Sequence, residues 1–426
     1  MYLFFVRHFN DIDHMTPVVW KMKKENYPVA VYSMNPRYDI DSDYRLRFLK
    51  SQGVTVNYLH SAFDQDRGWI HVLLTRLMHA SYTTQKRIGP SKPGAAGILT
   101  RLTASSFDLL GTLFYKMTRS LSYRKKWARA ILESTGALAV CFDHIMPKRY
   151  VVNSFIKAAR EMSIPTLSLP HGVLLYTNEN TKPKSTDKRR IKKFSRFDYI
   201  LVPNQLRKEL LVRTGVAGEK IFVLGSARYC QEWLEQNKKI LPRSIGADES
   251  ISGKLKVVFM QSKPQCRVDL ERMSTTFEVL ADLPEIQAMI KPHTRSAGDI
   301  REFEKNHLKD ASHILTAELC EWADVLLVVG SSVITEALMQ GKPALYLKYL
   351  HANTTLFEDL EACWVISDEQ ELKKALSALQ NNRQDIPYDE ENVAKYLMKV
   401  VNGEDSNRDV LSAYQQFIVD CASNPN

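Results

Sequence analysis

Short apolar runs alternate with amphipathic stretches over most of the chain. Residues 1–60 read as strand, helix, strand, helix, strand: YLFFVRH, MTPVVWKMKKEN, YPVAVYSMN, DSDYRLRFLKSQG and VTVNYL. Val-rich strands separated by helices of this length imply parallel pairing in a doubly wound sheet. The stretch RHFNDIDHMTP reads as the loop after the first strand, and residues 67–135 break the rhythm as a basic insertion with the turn-rich segment IGPSKPGAAG. Its second part, FDLLGTLFYKMTRSLSYRKKWARAIL, has apolar residues at helical spacing, a pattern that suits a membrane surface or packing on the domain.

The rhythm resumes with ALAVCFDH, the helix YVVNSFIKAAREMS and the strand IPTLSLPHG. Both strands of this unit end in histidine, His144 and His171, and ligands of open parallel sheets bind beyond the carboxyl ends of strands. FDYILVPNQLRKELLVRTGVAGEKIFVLGSARY adds two further strands and ends at Gly225 and Ser226. A second series of strands follows at KVVFMQS, IQAMIKPH, SHILTA, ADVLLVVGSS, PALYLK and CWVIS. The expected organisation is an N-terminal α/β domain over 1–230, a polar linker over 231–254, a second α/β domain over 255–380, and C-terminal helices over 381–426 that return toward the first domain. Two Rossmann-like, doubly wound domains would then face a cleft, the usual place for a ligand.

A chain of 426 residues suits two cores of ordinary size. Its six cysteines show no paired spacing, which argues against a zinc site or a disulfide framework and for a cytoplasmic setting. The N-terminal apolar run is too short for a signal-peptide core, and no segment has the roughly 18 uncharged residues of a membrane span. The net charge of +10 is concentrated: Arg67 to Arg129 holds twelve Lys or Arg against Asp108 alone, and Thr181 to Arg196 holds eight against Asp187. Such blocks point to an anionic partner, here the inner face of a membrane or an anionic saccharide. No nucleic-acid module or Arg/aromatic repeat accompanies them, so no nucleic acid is expected.

Three stretches carry candidate chemistry. In ADVLLVVGSSVITEALMQGKP a buried strand runs into Gly330, Ser331 and Ser332 at a helix start; the serines are expected to cap that helix and leave N–H groups for phosphate, with Glu336 near a ribose. AMIKPHTRS places Lys291, His293 and Arg295 after another strand of the same domain, as phosphate ligands or, for His293, a general acid. The first loop offers Asp11, Asp13 and His14 as bases for a hydroxyl. Its DID also matches a manganese pattern, but DSD and DQD recur elsewhere in polar stretches. No metal is required if fixed dipoles and cations stabilise the leaving phosphate, with Mg2+ or Mn2+ as the optional ion. The sequence lacks a GxxxxGK[ST] loop, GxGxxG, HExxH and GxSxG, which removes the usual support for ATPase, dehydrogenase, zinc-protease and hydrolase readings.

The order LPHG, VLGSARY, IKPHTR, ADVLLVVGSSVITEALMQGKP resembles the GT-B glycosyltransferases, nearest to bacterial surface-polymer enzymes with cytidine-activated donors: CDP-glycerol glycerophosphotransferases, capsule polysialyltransferases and Kdo transferases. The resemblance covers roughly residues 137–350. It implies a transferase moving a sugar or polyol phosphate from a CMP- or CDP-linked donor to a hydroxyl of a capsule, lipopolysaccharide or teichoic-type polymer or of a lipid-linked acceptor. His171 would then be the base, and His293, Ser331, Ser332 and Glu336 would hold the donor together with Lys291, Arg295, Gly330, Gly225 and Ser226. Pro-His-Thr replaces the usual His-Pro order, and Pro170 replaces an aromatic residue before the HG pair. Two other readings keep the fold: an enzyme similar to the UDP-N-acetylglucosamine 2-epimerases, which also carry a Gly/Ser phosphate site ahead of a GKP-like strand, and a non-catalytic assembly subunit that binds nucleotide sugars.

Overall fold

The structure is a computed structural model that describes residues 1–62, 69–88, 95–121, 123–143, 151–177, 196–246, 253–261, 268–293, 303–305 and 307–424. Strand β1 (Tyr2–Val6) is the seed of the first sheet. Leu3 and Phe5 point to one side, Phe4 and Val6 to the other, and both sides are buried in separate apolar clusters. That two-sided burial is why the run is continuously apolar, as strands of parallel sheets covered by helices are.

Around β1 the strands β2 (Val29–Ser33), β3 (Thr55–Tyr58), β4 (Ala139–Asp143), β5 (Thr166–Leu169), β6 (Tyr199–Val202) and β7 (Ile221–Val223) form a parallel seven-stranded sheet in the order β3-β2-β1-β4-β5-β6-β7. The order reverses between β1 and β4, which opens a crevice at their carboxyl ends. The helices of this domain are α1 (Phe9–Lys24), α2 (Tyr44–Ser51), α3 (Trp69–Ile88), α4 (Ala95–Leu121), α5 (Lys125–Thr135), α6 (Val152–Glu161) and α7 (Gln205–Arg213). Helix α8 (Gln231–Ile240) occupies the first part of the span read as a linker and sends Trp233 into the N-terminal core.

The second sheet is also parallel, in the order β10-β9-β8-β11-β12-β13, with β8 (Leu255–Met260), β9 (Ile286–Lys291), β10 (Leu308–Asp310), β11 (Val325–Val328), β12 (Ala344–Leu347) and β13 (Trp364–Ile366). Its helices are α9 (Leu270–Ala281), α10 (Thr316–Trp322), α11 (Val333–Met339), α12 (Leu356–Asp359) and α13 (Glu369–Asn381). The architecture is therefore the expected α/β arrangement of two doubly wound domains.

Two crossings tie the domains. Helix α14 (Glu390–Val400) buries Tyr396 and Val400 in the second core, whereas α15 (Val410–Ser423) returns to lay Val410, Leu411, Tyr414 and Ile418 on the first, against α1. In the other direction Leu175, just past His171, is buried in the second core and passes its carbonyl to Leu356 N–H at 2.7 Å. Burying one leucine contributes about 2 kcal/mol. The segment after β5 is thus fastened to the opposite domain.

Three local expectations change. The stretch from Phe9 to His14 is the start of α1 and not a loop, because Ile12, Met15, Val18, Val19 and Met22 bury one helical face and Asp11 accepts the Arg7 backbone N–H at 2.9 Å. Pro17 has no N–H to give the Asp13 carbonyl, a cost the helix absorbs mid-length. The strand read at SHILTA lies earlier, at β10; a turn in which Ile314 N–H meets the Ala311 carbonyl at 3.1 Å stops it, and Thr316 already begins α10. The amphipathic run 107–132 is split between α4 and α5, and α5 belongs to the core through Trp127, Ile131 and Leu132.

Candidate functional site

The strands β1, β4 and β5 are neighbours, so the residues at their carboxyl ends meet. Arg7 and His8 follow β1, Asp143 is the last residue of β4, and His171 follows β5 after Pro170. His171 Nδ1 lies 3.0 Å from Asp143 Oδ2 and 3.6 Å from Asp11 Oδ1, and His8 Nδ1 lies 3.2 Å from Asp11 Oδ1. Arg7 donates through Nε to Asp11 Oδ2 at 2.7 Å, through Nη2 to Asp11 Oδ1 at 3.0 Å, and also to Asp143. Both aspartates are fully buried, while 38% of the His171 side chain remains accessible. One face of the imidazole is therefore held by carboxylates and the other is open to the crevice.

Charge follows from this packing. Burial opposes a charged His171, but the hydrogen bonds to Asp11 and Asp143 outweigh it and lift its pKa to about 9. Burial likewise pushes Asp143 up to about 6, helped by the Asp11 charge. Asp11 goes the other way: burial would raise it, but the His171 hydrogen bond and the Arg7 charge hold it below the usual carboxylate range. At neutral pH the cluster is an imidazolium and a guanidinium on two carboxylates. It can give up a proton from His171 and accept one on a carboxylate.

Among the described residues, Asp11, Asp143 and His171 are the one group of three His, Cys, Asp or Glu whose ligand atoms lie within 4.8 Å of one another. Arg7 bridges both carboxylates and, together with the protonated His171, matches their two charges, so the donor set is organised around organic cations and fits a metal ion poorly.

Asp13 and His14 sit one turn away and do not join the cluster. Asp13 pairs with the buried Arg45 and, at 3.1 Å, with Arg228. Burial, then the Arg228 charge, pushes the His14 imidazole well down, leaving it neutral and enclosed. Glu336 is 5% exposed, and burial raises it to about 7 against the pull of Arg228. It lines a cavity of about 30 Å³ with Asp13, Tyr44 and Arg228, and a larger one of about 550 Å³ with Asn237, Lys238 and Lys342.

In the facing domain, Gly330 adopts φ +60 and its carbonyl accepts from the Tyr176 hydroxyl at 3.0 Å. A Cβ there would meet His351 Nε2 at 2.6 Å, so only glycine fits. The serines do not cap α11 as a pair. Ser331 Oγ accepts a long 3.4 Å bond from Val333 N–H, while Ser332 makes no cap bond and accepts from the Tyr229 hydroxyl at 3.2 Å. N-domain tyrosines thus grip both ends of the Gly330–Ser332 loop.

The other expected donor residues scatter. Lys291 directs its ammonium at the backbone carbonyls of Ser312 and Ile314, which makes it a brace for its own domain. His293 follows β9 and is half-buried; Arg295 and His144 lie outside the described residues, as does the basic block at 181–195. Gly225 and Ser226 do not face a donor: Ser226 N–H bonds the Val401 carbonyl at 2.8 Å, the Tyr414 hydroxyl bonds the Gly225 carbonyl at 2.9 Å, and a Cβ on Gly225 would meet Val401 O at 2.3 Å. They are the seat of the returning helix. Sequence reasoning missed Asp143, whose signal was a lone carboxylate ending an apolar strand, and the pairing role of Arg7.

No family model matches the chain, and no protein with a curated description matches its sequence. Solved structures do match. UDP-GlcNAc 2-epimerase from Methanocaldococcus jannaschii is similar over 100% of both chains at TM-score 0.56 and 13% identity. The glycotransferase of kitacinnamycin covers 98% of this chain and 97% of its own at 0.52 and 14%, and HepE from Anabaena, solved with UDP and glucose, covers 99% of each at 0.51 and 11%. At such identities the likeness is one of fold, and it establishes the two-domain GT-B arrangement over the whole chain.

Proposed function

We propose that this chain is an enzyme of nucleotide-sugar chemistry and that its reaction is the epimerisation of a UDP-N-acetylhexosamine. The observation that carries this reading is the Asp11, Asp143 and His171 cluster, held by Arg7 at the crevice that faces Gly330 to Ser332. Inversion at the C–H centre beside the anomeric carbon needs one group to take the proton while the C–H electron pair forms a double bond and expels UDP, and another to return a proton as UDP adds back. The cluster supplies both, a carboxylate and an imidazolium, on the N-domain side. The Gly330–Ser332 loop and Gln261, which follows β8 and whose buried Nε2 has no partner among the described residues, would offer donors to a nucleotide on the other side. Structural neighbours, among them UDP-GlcNAc 2-epimerases from M. jannaschii and from Neisseria meningitidis, the latter bound to UDP-GlcNAc, support the same choice. Arg7 and the protonated His171 balance the two carboxylates.

A second reading, a GT-B transferase with a cytidine-activated donor and a surface-polymer or lipid-linked acceptor, is supported by the order of the LPHG, KPHTR and GSS motifs and by transferases among the neighbours. With His171 protonated at rest, it would meet the leaving phosphate, and Asp11 or Asp143 would be the base. Incubation with UDP-GlcNAc followed by proton NMR separates the readings. A second UDP-hexosamine appearing without any acceptor supports epimerisation; nucleotide release only when an acceptor is present selects the transferase; no turnover of UDP-GlcNAc in either setting sinks the first reading.

A further inference from the structure

Among the described residues, the helical hairpin α3–α4 carries most of the exposed large apolar side chains. Helix α4 packs its Gly111 on the Tyr82 ring of α3 so closely that a Cβ would come within 2.5 Å of it. Arg37 fastens α4 to the domain by Asp108 at 3.0 Å and by Thr112. On the opposite face, Leu102, Leu109, Leu113 and Met117 recur at helical spacing and are all exposed, Leu109 at 71%, with Leu110 beside them. Trp69, Ile70, Leu73 and Leu77 form a second exposed stripe on α3. Scattered surface leucines need no explanation, but two stripes on one hairpin do.

The charge of this stretch of sequence selects the occupant. The chain from Arg67 to Arg129 carries twelve cations, and its only acid, Asp108, is spent on Arg37. Two copies of so basic a stretch repel each other, whereas an anionic lipid surface attracts it and takes up the exposed leucines among its acyl chains. Among the described residues no helix is long and apolar enough to cross a membrane, so attachment would be to the surface. Helix α3 follows β3, and Arg37 follows β2, at the same carboxyl edge of the sheet that carries Arg7, Asp143 and His171.

We propose that the outer face of α4, in a stretch of sequence so rich in cations, docks the enzyme on an anionic membrane surface and so brings the candidate crevice to a lipid leaflet. This does not depend on which reaction the crevice performs. The test is co-sedimentation of the full chain with vesicles of equal phosphatidylglycerol and phosphatidylcholine, against pure phosphatidylcholine. Binding to the anionic vesicles alone is expected, weakened at least tenfold by 0.5 M salt and at least tenfold by Leu109→Glu/Leu113→Glu. Unchanged far-UV circular dichroism and melting temperature show the variant is folded, and Leu109→Ser/Leu113→Ser, which adds no charge, serves if they change. Absence of binding to the anionic vesicles, or binding equal in wild type and folded variant, overturns the proposal. So does a dimer in light scattering that the variant breaks without any vesicle binding, which would assign the face to a second copy, or RNA binding that persists in the variant while vesicle binding is absent.

Discussion

The Tyr176 hydroxyl donates to the Gly330 carbonyl at 3.0 Å, which joins the segment that follows His171 to the loop that carries Ser331. The acid–base cluster and the candidate phosphate loop are therefore parts of one mechanical unit although they belong to different sheets. Gly330→Ala places a methyl group against His351 and Tyr176 at a φ of +60. It should lower stability by about 2 kcal/mol or more and weaken nucleotide binding, whereas Tyr176→Phe should cost only about 1 kcal/mol. Differential scanning fluorimetry with and without UDP reads both effects; equal melting temperatures for wild type and Gly330→Ala would contradict the packing described.

The His171 pKa of about 9 keeps this side chain an imidazolium at neutral pH. Activity that uses its proton should fall as pH rises through about 9. Asp143→Asn removes a carboxylate that holds the charge, so the alkaline limb of kcat/KM should move toward the ordinary histidine value near 6.5. His171→Gln should abolish that limb together with most of the rate, roughly a hundredfold or more. An alkaline limb unmoved by Asp143→Asn would show that His171 is not the titrating acid.

Glu336 is raised from 4.5 to about 7 in the folded chain. A group with a raised folded pKa binds its proton more tightly when folded, so its contribution to stability is present in full below 4.5 and is lost as pH rises through 7. The size of that loss is about 3 kcal/mol. Glu336→Gln should leave the melting temperature near pH 5 little changed and raise it at pH 8. A variant that melts lower than wild type at both values would mean that the attraction of the Arg228 charge outweighs the burial.

Nucleotide preference discriminates the donor readings. Stabilisation by UDP but not by CMP or CDP, diminished in Ser331→Ala and unaffected by Lys291→Met as long as that variant stays folded, is the expected pattern for the unit around Gly330. Stabilisation confined to the cytidine nucleotides would return the donor to the surface-polymer transferases.

Much of this protein is set by local pattern. Short continuous apolar runs such as Tyr2–Val6 and Val325–Val328, set between helical stretches, suit strands buried on both faces, and their alternation with helices points to parallel sheets. The position of His171 beyond β5 followed from the same logic. What the chain alone did not show was which residues stand beside it: Asp143 looks like the end of a strand, and Gly225 and Ser226 look like a phosphate turn. Strand order decides these cases, since β1, β4 and β5 become neighbours only when the sheet reverses, and Gly225 is claimed by a helix that returns from nearly 190 residues later. Likewise Phe9 to His14 became helix because their buried face exists only once α15 and the sheet are in place. Period and composition act within a dozen residues, whereas the partners of a charge are chosen by the fold.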